Sequence, residues 1–136
     1  MANYEATKYD FDGANLTGIE GTATGTILPW SASSLPTGFL ECAGAAVSRS
    51  TYSDLFGVIG TTYGTGDGSS TFNLPDLQGR TAIGSGSGSG LSSRSLGATG
   101  GFETAQSGSN LGSGSDFSNA LMQPFSVVNF FIATGK

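Results

Sequence analysis

The most constraining feature of this sequence is a long stretch dominated by glycine and serine, from Gly84 to Asn119. A segment of this composition cannot bury enough apolar surface to close a core of its own. The apolar run MQPFSVVNFFIA follows it and has large residues on both faces, which predicts a last strand in the middle of the fold. We therefore expect the Gly/Ser-rich stretch to be an excursion, residues 84–119, from a closed domain.

Two interpretations of this excursion remain open. In the first, it is a mobile loop between two parts of the domain. In the second, its alternating glycines let backbones approach closely, as in an interface between identical chains or in a tip that faces a receptor. These glycines are Gly84, Gly86, Gly88 and Gly90.

Length and charge narrow the class of protein. A chain of 136 residues fits one domain with a modest core. The chain has ten acidic and five basic residues, a net charge of −5. The five basic residues are scattered along the sequence, so we expect no basic patch of the kind that binds nucleic acid or anionic membranes. Only 11 % of the residues are charged and 23 are glycine, so the surface suits packing against copies of the chain or other subunits.

The first residues predict an arm rather than core. Residues 1–24 mix aromatic and acidic side chains without a convincing period, so we expect an N-terminal docking arm followed by one domain, residues 25–136. The opening MANYEA has neither a basic region nor an apolar run. We therefore expect no signal peptide or membrane insertion, and synthesis in a cytoplasm.

Short strands and one helix are expected in the first half of the domain. GTILPW, residues 25–30, predicts a strand stopped by Pro29, and GFLECAGAAV, residues 38–47, predicts two short strands. SRSTYSDLFGVIG predicts an amphipathic helix capped by Ser50 or Thr51 and ended by Gly60. Its apolar face is formed by Tyr52, Leu55, Phe56 and Ile59. The predicted fold class is a small α+β domain.

The stretch YGTGDGSSTFNLPDLQGR, residues 63–80, concentrates turn chemistry. Asp67 and its glycine neighbours favour a tight reversal before an extended TFNL run, and Pro75 then keeps Leu74 out of the helical region. Gly79 permits a second bend, across which Asp76 and Arg80 are close enough to pair. The predicted turn motif consists of Gly66, Asp67, Gly68, Leu74, Pro75, Asp76, Gly79 and Arg80. A calcium site at Asp67 and Asp76 is the alternative, although the DxDxDG spacing is absent.

These pieces together resemble the phage tail-collar domain family, found in short tail fibres and fibre tips. The resemblance covers roughly residues 25–84, and its most specific part is the ordered run TYG, GDG, TF, LPDL and GR. The GGFET sequence at 100–104 and the later MQP at 122–124 look like the closing part of the family pattern. This chain departs from the family by having no histidine, so the metal-threaded tip of some members is not expected here.

The resemblance implies a structural virion protein of a tailed bacteriophage, a tail fibre or tail-tip subunit that attaches to the host. It also implies a homotrimer, made in the host cytoplasm, that contacts other tail or baseplate proteins and a host receptor. Two alternatives remain: a baseplate plug or adaptor that never touches the host, and a cell-encoded collar-domain protein. The candidate contact residues are Leu91, Arg94, Phe102, Leu111 and Phe117.

Enzymatic chemistry is not expected. Without histidine the usual base for a nucleophile is missing, and a lone cysteine provides neither a disulfide nor a thiolate zinc site. Cys42 lies among apolar neighbours and is expected to be a small core residue. Trp30 is expected to be a core anchor, with a sugar-stacking platform as the alternative. No cofactor or metal is expected.

Overall fold

The structure, a computed structural model, describes residues 21–101 and 125–136. Five short strands and one helix are present in these residues. In chain order they are β1 (Ile27–Trp30), β2 (Phe39–Glu41), β3 (Ala46–Ser48), α1 (Ser53–Ile59), β4 (Thr71–Asn73) and β5 (Asn129–Ala133). The predicted α+β class is confirmed by this combination of short antiparallel strands and one helix in the described part of the chain.

The last strand organises the larger sheet. β5 lies between β1 and β2 in an antiparallel sheet of order β1-β5-β2. Ile132 of β5 is fully buried and is in register with Ile27 on one side and with Leu40 on the other. A central strand is covered on both faces and paired on both edges, which explains why its sequence is apolar without alternation.

The predicted stop at Pro29 is wrong, because β1 continues through Pro29 to Trp30. Pro29 lies opposite Phe130 in the register of the sheet. Proline is excluded from central strands because it has no N–H for the ladder, but on an edge strand that N–H can face away from the sheet. β1 is an edge strand, and the sequence alone did not indicate this.

The helix connects the two strands of the smaller sheet, β3 and β4. Its predicted apolar face is correct, since Leu55 is fully buried and Tyr52, Phe56 and Ile59 pack against the same core cluster. The predicted cap is wrong: the N-cap residue is Tyr52, which makes no side-chain capping bond. The hydroxyl of Ser48 instead accepts a hydrogen bond from the Thr51 N–H at 3.2 Å, in the turn that precedes the helix.

The core joins the helix to both sheets. Its buried members are Cys42, Leu55, Phe72, Leu74 and Ile132. The rings of Phe56 and Phe72 lie 5.1 Å apart, centroid to centroid, and tie the helix to β4. No helix in residues 21–101 or 125–136 is long and apolar enough to cross a membrane.

Trp30 is not the core anchor that its sequence context suggests. Its side chain is 41 % exposed at the end of β1, where the ring packs beside Phe131 at a centroid distance of 6.1 Å. The indole N–H donates to the carbonyl oxygen of Ser34 at 3.1 Å. Trp30 is the last residue of the edge strand β1 and lies on the face of the sheet opposite the core cluster, so part of its ring remains exposed.

Candidate functional site

The loop between α1 and β4 is built around one carboxylate. Oδ1 of Asp67 accepts hydrogen bonds from the backbone N–H groups of Ser69, Ser70 and Thr71 at 2.9, 2.7 and 2.9 Å. Oδ2 accepts a further bond from the hydroxyl of Ser70. These bonds favour the ionised form and hold the pKa of Asp67 well below its usual value. The carboxylate thus closes its own loop, although it is fully exposed.

The glycine before Asp67 is held more tightly than the glycine after it. Gly66 has a φ of 60°, and a Cβ on it would meet the backbone carbon of Thr71 at 2.6 Å. Gly68 has a φ of 86° but has open space around the position of a Cβ. Position 66 therefore requires glycine both for its positive φ and because a Cβ would collide with Thr71. Position 68 requires glycine for its positive φ only.

Two side chains outside the Asp67 turn hold it against the domain. The amide of Asn73 accepts a bond from the Gly66 N–H at 2.9 Å and donates to the carbonyl of Gly44 at 3.0 Å. Arg49 donates from Nε to the carbonyl of Thr71 at 2.9 Å. Its Nη2 donates to Thr65 at 3.2 Å. Sequence reasoning missed this role of Arg49, because the partners are up to 22 residues away.

The second bend, from Leu74 to Arg80, is anchored by burial and by backbone bonds. Leu74 and Pro75 are buried, and the N–H of Leu77 donates to the carbonyl of Cys42 at 2.9 Å. Gly79 has a φ of 65°, and Nε of Arg80 lies 3.7 Å from Oδ2 of Asp76. This ion pair is more than 40 % exposed on both sides, so it contributes at most about 1 kcal/mol.

The arrangement provides no evident catalytic or metal-binding chemistry in the described residues. Within residues 21–101 and 125–136, no three His, Cys, Asp or Glu side chains lie close enough together to hold a metal ion. The acids of the calcium alternative are used elsewhere: Asp67 closes its own loop, and Asp76 pairs with Arg80. Burial, aided by the charge of Glu41, raises the pKa of the Cys42 thiol to about 11, which disfavours the reactive thiolate.

The first half of the Gly/Ser-rich excursion forms a small closed loop. Gly86 and Arg94 exchange two backbone hydrogen bonds, of 2.7 and 2.9 Å, and Leu91 lies between them with 75 % of its side chain exposed. Gly97 lies so close to the backbone of Thr62 that a Cβ would come within 2.5 Å of its carbonyl oxygen. The other three candidate contact residues, Phe102, Leu111 and Phe117, lie outside the described residues.

An open groove of about 950 Å³ separates this excursion from the body of the domain. Its apolar lining includes Ile27, Leu77 and Phe130 from the domain, and Ile83 and Leu96 from the excursion. Three charged side chains also line it, namely Asp76, Arg80 and Arg94. The second bend of the turn motif and the foot of the Gly86–Arg94 loop thus border one surface.

Comparison with known proteins bears out the resemblance found in the sequence. Residues 25–82 match the family model of the phage tail collar domain. This match contains β1 to β4, the helix and the whole turn motif, and it ends where the Gly/Ser-rich excursion begins. No curated protein matches the sequence significantly. The match covers 58 of the 136 residues, and the family it identifies is described as a domain of phage tails.

Proposed function

We propose that this chain, which carries a phage tail collar domain in residues 25–82, is a tail fibre or tail-tip subunit that attaches the particle to its host. The observation that supports attachment is the position of Leu91. It lies on the closed loop between Gly86 and Arg94, beyond the collar match, and 75 % of its side chain is exposed. An exposed apolar side chain on a loop held by a rigid scaffold is a common form of contact residue.

The turn motif has a different role in this proposal. The side chains of Asp67 and Asn73 bond to their own domain, and Arg49, from outside the stretch 63–80, donates to its backbone. Side chains that are already bonded internally have few groups left for a receptor. We therefore assign residues 63–80 to the scaffold and the excursion to the contact surface.

We also propose that the chain has no enzymatic activity and needs no cofactor. It contains no histidine, and the buried thiol of Cys42, with its pKa of about 11, is a poor nucleophile.

A homotrimer fits the low charge content and the exposed apolar residues, because self-association would cover part of that surface. Light scattering on the isolated chain measures this directly, and a clean monomer at high concentration would contradict self-assembly.

Attachment is tested with the fluorescently labelled full chain and a panel of whole Gram-negative and Gram-positive cells. We expect the parent to bind at least one strain, and Leu91→Ser to lose most of that binding with an unchanged melting temperature. The matched control is Val58→Ser, which removes an equally apolar and 60 % exposed side chain from α1. Val58 lies within the collar match, so its substitution should leave binding intact.

The outcome also separates attachment from the adaptor alternative. If the Leu91→Ser chain binds cells as well as the parent, or if the parent binds no strain, attachment through the excursion is wrong. Location of the chain in an electron-microscopy map of the intact particle then distinguishes a baseplate adaptor from a protein that is absent from the particle.

A further inference from the structure

The groove between the domain and the excursion has both apolar and basic side chains in its lining. Leu77 and Phe130 lie on the domain side, and Ile83 and Leu96, which are 69 % and 67 % exposed, lie on the excursion side. Two of the five basic residues of the chain, Arg80 and Arg94, line the same groove. A lining that combines apolar and positively charged side chains suits an extended peptide that carries both aromatic and acidic side chains.

The charge of the groove differs in sign from that of the chain. The chain carries −5, whereas the groove has two arginines against one acid, Asp76. Asp76 is paired with Arg80, and in the described part of the chain no carboxylate lies within salt-bridge distance of Arg94. An acidic partner would therefore gain a charge interaction at Arg94 without displacing an existing ion pair.

The sequence of the N-terminal arm has the complementary pattern. Tyr9, Asp10, Phe11 and Asp12 alternate aromatic and acidic side chains. In an extended peptide, successive side chains point to opposite faces, so the two rings share one face and the two carboxylates share the other. Residues 1–20 contain four acids and one lysine, which gives a charge of −3. Residues 1–20 lie outside the part of the chain that the structure describes, and it is their sequence that matches the groove.

We propose that this groove binds the Tyr9–Asp12 segment of the same chain's N-terminal arm. In this proposal one face of the segment brings its rings to the apolar side chains of the groove, and the other face brings its carboxylates to Arg80 and Arg94. Gly21 lies nine residue steps after Asp12, which allows a reach of up to about 30 Å. Because the arm is tethered beside Ile27, which itself lines the groove, the local concentration of the segment is high without any second molecule.

The test uses short bismaleimide cross-linking of the full chain, followed by mass spectrometry of the linked peptides. One variant carries Ala14→Cys with Leu96→Cys, and the comparison variant carries Ala14→Cys with Val58→Cys, so that both rings of the segment are kept. Val58 is exposed but does not line the groove, and its side chain lies against Gly25, where the arm joins the domain. An arm without a preferred site would therefore reach Val58 at least as readily as Leu96. We expect a yield several-fold higher for the Leu96 pair, within single chains.

A charge comparison makes the test specific. Asp10→Asn with Asp12→Asn should lower the Leu96 cross-link several-fold, whereas Glu5→Gln with Glu20→Gln, which changes the net charge equally, should not. Equal yields at Leu96 and Val58, equal effects of the two charge variants, or links that form only between copies would each overturn the proposal. Melting curves of all variants confirm that the comparison is made on folded protein.

Discussion

The guanidinium carbon of Arg49 lies 4.8 Å from the centroid of the Phe56 ring. Arg49 also donates to the carbonyls of Thr71 and Thr65, so one side chain connects the helix, the Asp67 turn and β4. Arginine suits this position because its planar guanidinium can stack on a ring and donate several hydrogen bonds in its own plane.

Replacement of Arg49 by methionine should destabilise the domain. The substitution keeps an apolar stem on Phe56 but removes the hydrogen bonds to two carbonyls. We expect a loss of about 1–2 kcal/mol in the free energy of unfolding, measured by denaturant titration. Arg49→Lys should lose nearly as much stability, since one ammonium group cannot both stack on the ring and donate to two carbonyls in the same geometry.

The control is Arg80→Met, where the exposed pair with Asp76 limits the loss to about 1 kcal/mol or less. Equal losses at 49 and 80 would contradict this role for Arg49.

Substitutions at Gly66 and Gly79 allow the cost of a steric clash to be separated from the cost of a positive φ angle. Their φ angles are 60° and 65°, so an alanine at either position pays the same left-handed penalty of about 1 kcal/mol. Only at Gly66 does the added Cβ meet Thr71, whereas nothing lies within 4 Å at Gly79. We expect Gly66→Ala to cost at least about 1 kcal/mol more than Gly79→Ala in denaturant unfolding. Similar costs would show that the Asp67 turn relaxes around the new side chain.

Local sequence patterns predicted the helix face and the central last strand because both depend on near neighbours and on composition. The spacing of Tyr52, Leu55, Phe56 and Ile59 follows directly from the helical repeat. The course of β1 through Pro29 depends instead on its place at the sheet edge, which is decided by its pairing with residues about 100 positions away. The partial exposure of Trp30 has the same origin.

The role of Arg49 was also beyond sequence reasoning. Its acceptors are backbone carbonyls, which carry no residue-specific signal. Asp67 followed by glycine, in contrast, predicts a turn from local sequence, because the hydrogen bonds of its carboxylate reach only two to four residues along the chain. The groove could not be found from sequence at all, since its lining comes from residues 27, 63, 75–83, 85, 94–101 and 130.

The ionised carboxylate of Asp67 should make the folded domain less stable as the pH falls below about 4. The pKa of Asp67 is lowered in the folded state by its hydrogen bonds, so the unfolded chain takes up a proton first as the pH falls. The contribution is fully present above the unfolded pKa of about 3.9 and is lost as the pH falls below it towards the folded pKa. We expect the melting temperature of the parent to fall more steeply below pH 4 than that of Asp67→Asn. Glu41→Gln removes an exposed carboxylate outside the loop and should retain the steep parental slope; parallel curves for the parent and Asp67→Asn would contradict the prediction.

Cys42 should react slowly with thiol reagents in the folded chain. Its side chain is 2 % exposed, and burial is the larger cause of a pKa of about 11, followed by the charge of Glu41. Measured from the ordinary thiol value of 9.0, a pKa of about 11 lowers the thiolate fraction at pH 8 roughly a hundred-fold on folding, before steric protection is counted. The rate with a disulfide reagent at pH 8 should therefore be at least that much lower for the native chain than for the chain in guanidinium chloride. Glu41→Gln should raise the native rate only modestly, because burial remains. A native rate close to the unfolded one would show that Cys42 is accessible and that the neighbouring pocket, lined by Leu77 and Val128, opens to admit the reagent.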